Sequence, residues 1–92
     1  MNSTDAEALS LLILQLNAKM NDSVRFMKEK GTPEEFTAYR LQAAEVMGAL
    51  HGIAETLYAQ HPHLKPSELG GTYSVDPAVF KDSFYVRRQH DV

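Results

Sequence analysis

The chain has 92 residues, no cysteine, 43% hydrophobic residues and a formal charge of −3. That is enough for one small domain with a packed core. It excludes disulfides, thiol nucleophiles and cysteine-ligated zinc. Nine Lys and Arg are scattered among twelve acids, so there is no basic face for nucleic acid, and Arg87-Arg88 is too short to act as a basic arm. The apolar run Leu9–Leu16 is too short to span a membrane and is preceded by Asp5 and Glu7 rather than by cations, so it reads as core and not as a signal peptide. With the lack of cysteine, this points to a cytoplasmic protein.

Residues 1–3 are expected to fray. Thr4 then opens a first helix as N-cap, with Glu7 completing a capping box. This helix is expected over about residues 4–30. Lys28 and Lys30 favour its C-terminal end, and Gly31 is expected to stop it in a left-handed conformation. At 100° per residue Leu9, Leu12, Ile13, Leu16, Met20, Val24 and Met27 form one stripe. Leu11, Leu14 and Ala18 lie on the opposite side. A helix that is apolar nearly all round is buried nearly all round, so these three are expected to be covered by a second copy of the chain or by the C-terminal tail. Of the two, a homodimer interface is the favoured reading.

Thr32-Pro33-Glu34-Glu35 opens a second helix at once, with Thr32 as N-cap and Glu35 at the capping-box position. So short a link makes an antiparallel hairpin. The second helix is expected over about 33–60, stopped by Pro62. Its main face is Phe36, Ala43, Met47, Leu50, Ala54, Leu57 and Tyr58, broadened by Tyr39, Val46 and Ile53. The tail, about 61–88, carries a turn at Pro66–Leu69 closed by Gly70-Gly71, and another begun by Asp76-Pro77. Its isolated apolar residues, from Leu64 to Val86, are spaced as pegs for docking on a helix bundle. The end from Gln89 is expected to be mobile.

No catalytic constellation emerges. The serines lack a nucleophile context, no glycine loop cradles phosphate, and no carboxylates are paired for a cleft. His51 and Glu55 have the i, i+4 spacing of metal ligands but lack a second histidine. Lys19, Arg25, Lys28, Lys30 and Arg40 make a poor anion site, because the first half of helix 1 has leucines where a helical dimer enzyme would need cations. No metal or cofactor is expected.

Gly48 and Gly52, four apart in helix 2, each cost about 1 kcal/mol relative to alanine. Such small residues permit close approach of another backbone, or line a groove. A candidate ligand or partner groove therefore comprises Tyr39, Met47, Gly48, His51, Gly52 and Tyr58.

The runs Tyr39-Arg40, Leu57–Pro62 and Leu64–Tyr73 together resemble small bacterial helical-hairpin proteins of unknown function. The resemblance implies a bacterial cytoplasmic protein and carries no activity. The fold expected is all-α: a long hairpin with a partly helical tail, dimerising into a four-helix bundle. The function expected is a non-catalytic protein-interaction or regulatory homodimer, with another protein as a further partner. The alternative is a helical dimer that binds or transforms a small ligand in a pocket between subunits.

Overall fold

The computed structural model describes residues 1–82, 84 and 85. The expected peg Val86, the Arg87-Arg88 pair and the end from Gln89 lie outside these. Two long helices, α1 (Ser3–Lys30) and α2 (Pro33–Gln60), form the expected antiparallel hairpin. The tail adds three short 3-10 turns, Pro62–Leu64, Ser67–Leu69 and Pro77–Phe80. Among the described residues there is no strand beyond an isolated bridge between Pro66 and Tyr73, and no helix is long and apolar enough to cross a membrane.

The second helix starts as its sequence dictates. The Thr32 hydroxyl accepts from the Glu35 amide at 3.1 Å, and the Glu35 carboxylate accepts from the Thr32 amide at 2.8 Å. Both are otherwise orphan donors of the first turn.

The first helix starts differently from expectation. Its N-cap is Asn2, whose side chain accepts from the Asp5 amide at 2.7 Å, and Thr4 lies inside the helix. Asparagine outranks threonine as an N-cap, and the Glu7 carboxylate needed for a Thr4 box is engaged by Tyr73 instead.

Gly31 is also not left-handed. Its backbone is extended, at φ −92° and ψ 170°. Glycine serves there by its lack of a side chain, since a Cβ would fall 2.5 Å from Met27 Sδ and 2.9 Å from the Met27 carbonyl oxygen. The left-handed position is Gly70, at φ +91°, closing the Ser67–Leu69 turn.

The core is Ala6, Ile13, Ala54, Leu57, Tyr58 and Leu64, with Leu9 and Tyr73 packed against it. The seam of α1 is therefore rotated from the expected stripe toward Ala6, Ser10 and Ile13. Leu12 and Leu16 are left 48% and 44% exposed. The small side chains of Ala6 and Ser10 let α2 and the first tail turn come close, and that selects the seam. Further along, Tyr39 donates to Ser23 Oγ at 2.7 Å, and Ser23 donates to the Met20 carbonyl at 2.6 Å, which ties the two helices together.

After α2 the tail turns back and follows α1 from its N-terminal to its C-terminal end. His63 Nε2 meets Ser3 Oγ at 2.8 Å, Tyr73 donates to Glu7 at 2.6 Å, and Gln15 Nε2 donates to the Val79 carbonyl at 3.0 Å. Farther on, Tyr85 donates to Glu29, and Phe26 meets the rings of Phe84 and Tyr85 edge-on, each at 5.4 Å. The chain thus runs up, down and up again, with the third pass laid along the back of the first.

Leu64 is the peg that joins this third pass to the core, at 2% exposure. Leu64→Ala should cost about 2–5 kcal/mol of stability, as deletions of well-packed leucines do. Urea denaturation followed by far-UV circular dichroism measures it.

Candidate binding groove between the first helix and the tail

The residues singled out from sequence do not gather into one site. Tyr58 is buried in the core, and burial, then the nearby Glu55 charge, push its phenol above the ordinary range. Tyr39 and Met47 are half-buried, Tyr39 being held by Ser23. His51 is exposed, with Nε2 at 3.8 Å from a Glu55 carboxylate oxygen. Together with Tyr58 it lines a small crevice of about 150 Å³ beside Leu50, Ala54 and Leu69. Gly48 and Gly52 face the other way, and a Cβ at either would meet nothing within 4 Å. Among the described residues no three His, Asp or Glu side chains converge as metal ligands would.

Leu11, Leu14 and Ala18, expected to face a second copy, are each half-buried within the chain. The tail runs past Leu14 and Ala18 and covers part of that side of α1 within the chain. The cover is incomplete, and it leaves a groove.

The groove holds about 460 Å³. Its floor is Leu14, Asn17, Ala18 and Asn21 of α1. That spacing of i, i+3, i+4 and i+7 is one helical stripe. Pro66, Glu68, Leu69, Val75, Pro77 and Phe80 of the tail line the rest, Glu68 being the charged one among the described residues. No described residue hydrogen-bonds either asparagine carboxamide. Each therefore offers a donor and an acceptor to whatever enters. Apolar walls with a few convergent polar groups are the usual make-up of a binding site.

The loop that carries the walls is held by backbone bonds. Ser67 donates to the Tyr73 carbonyl at 2.9 Å, and Tyr73 donates to the Lys65 carbonyl at 3.0 Å. Asp76 accepts from the Ala78 amide at 2.9 Å and sets the next turn. The whole loop is anchored to α1 by the Tyr73–Glu7 bond. Sequence reasoning missed Asn17 and Asn21. The signal was there, because two amides one turn apart flank the apolar sector of Leu11, Leu14 and Ala18.

The chain matches no protein-family model, no curated protein and no solved structure, so its function has to be read from its own side chains.

The Tyr73 phenol is held above its ordinary value of 10.0 by its hydrogen bond to Glu7, then by burial, then by the charges of Glu7 and Asp76. Its folded pKa exceeds its unfolded one, so its contribution is fully present below about pH 10 and lost as the pH rises through the folded value. Tyr73→Phe should therefore flatten the fall in stability between roughly pH 9 and pH 11. Urea titrations of both proteins across that range test this.

Proposed function

We propose that the protein is a non-catalytic interaction module acting as a homodimer, with the outer side of α2 as its mating surface. The observation that supports this is apolar surface left open on α2, where Leu41 is 57%, Val46 44% and Ile53 54% exposed, with Leu12 and Leu16 of α1, 48% and 44% exposed, adding to it.

Ala38, Ala44, Ala49 and Ala59 are exposed on α2 as well. Gly48 and Gly52 stand in open space among them. Half-exposed aliphatics around two glycines offer a helix–helix contact apolar area to bury and room for close approach, with the exposed Glu45 on the same side. Two copies pairing there would place two hairpins together as a four-helix bundle, with Leu12 and Leu16 at the edge of the contact. The expected self-association is thus kept, and its surface moves from Leu11, Leu14 and Ala18 to α2. A bacterial, cytoplasmic setting belongs to the same reading, supported by the absence of cysteine and the resemblance of the Leu57–Pro62 and Leu64–Tyr73 runs.

Light scattering should give twice the chain mass of 10.3 kDa, and Ile53→Asp should give the single-chain mass with helicity retained. A wild-type protein that stays at the single-chain mass at high concentration refutes the proposal. Gly48→Leu separates the two states of α2 by sign. An unpaired α2 gains about 0.5–1 kcal/mol, because leucine is the better helix former. A paired one loses its dimer, which is the outcome expected in sedimentation and thermal melting.

A further inference from the structure

On the side of α1 turned away from α2, we infer that the described residues of 76–85 form a strap that opens as a unit about Ser74 and Val75 while the hairpin stays folded.

The division falls just after Tyr73. Up to that point the tail is built into the core. Leu64 and Pro66 are buried, and Tyr73 packs against the core cluster and donates to Glu7. Beyond it the hold is different. No described residue hydrogen-bonds the backbone of Ser74 or Val75, which leaves a joint between the two parts. None of the described residues of 76–85 is buried. They meet α1 where Gln15 donates to the Val79 carbonyl at 3.0 Å, where Phe26 meets the rings of Phe84 and Tyr85, and where Tyr85 donates to Glu29.

The fit against α1 is loose. Phe80 borders the groove of about 460 Å³ and also a crevice of about 190 Å³, in which Gln15, Ala18 and Lys19 face Val79 and Asp82. A segment with no buried side chain, laid over unfilled space, opens at a much lower free energy than a packed core.

What the strap covers also favours its opening. Asp22 is 4% exposed. At about 100° per residue it projects about 160° away from Ala6 in the seam, so the tail covers it and α2 does not. Ala18, one turn before, lines the crevice with Phe80, and Phe26, one turn after, meets Phe84. The strap therefore crosses Asp22, whose carboxylate accepts from the half-exposed Arg25. Closing the strap takes that carboxylate out of water, and opening returns it.

The test is native-state proteolysis of the full chain by a low concentration of trypsin, read by mass spectrometry over a urea series below the unfolding transition. Cutting after Lys81 reports opening of the strap, and cutting after Lys19 or Arg40 reports loss of the hairpin. The urea slope follows the surface exposed, so cutting after Lys81 should rise less than about half as steeply as cutting within the hairpin. Gln15→Ala removes the clasp on Val79 and should speed cutting after Lys81 about fivefold. Leu64→Ala should speed the hairpin cuts at least about thirtyfold and leave cutting after Lys81 within about twofold. The urea comparison needs no variant to fold. Equal slopes, a Lys81 rate indifferent to Gln15→Ala, or equal acceleration of both cuts by Leu64→Ala would each overturn the inference.

Discussion

A pair of helices shares a single seam, and everything else about this molecule follows from that constraint. Each helix can bury one stripe against the other. Both helices here carry more apolar surface than one stripe holds, α1 at Leu11, Leu14 and Ala18, α2 at Leu41, Val46 and Ile53. The tail runs along α1, with Leu64 and Leu69 reaching residues of α2 as well, and it leaves apolar side chains open on both helices.

The choice of α1 is written in polar contacts more than in apolar ones. Leucine and phenylalanine pegs would fit against either helix. Four side-chain partners that fix the tail in place, Ser3, Glu7, Gln15 and Glu29, are all on α1. They are spread from its first turn to its last, so the tail is held along its length and not at one point. Because each bond is directional, such a row also fixes register, which non-directional burial does poorly.

These contacts explain what was legible in the sequence and what was not. The stop near Lys30, the Thr32–Glu35 box, the end before Pro62, the Pro66–Leu69 turn and the Asp76 cap are all local. Each depends on a few neighbouring residues whose chemistry has one main use. The long-range pairs Tyr73–Glu7 and Gln15–Val79 join residues more than sixty positions apart. No periodicity encodes them. Their local consequence was misread for the same reason: Glu7 was expected to cap its own helix, and a tyrosine from the tail claims it. The seam moved for a related reason. Hydrophobicity alone favours Leu12 and Leu16, but close packing favours the smaller Ala6 and Ser10, where a second helix and the first tail turn can come near.

The groove is a product of the same competition. On the floor stand two asparagines, which a sealed contact would have to leave unpaired at considerable cost. An apolar pair at these positions would serve a structural contact better. Asn21 is exposed and Asn17 half-buried, so water can satisfy both amides and this surface stays wetted.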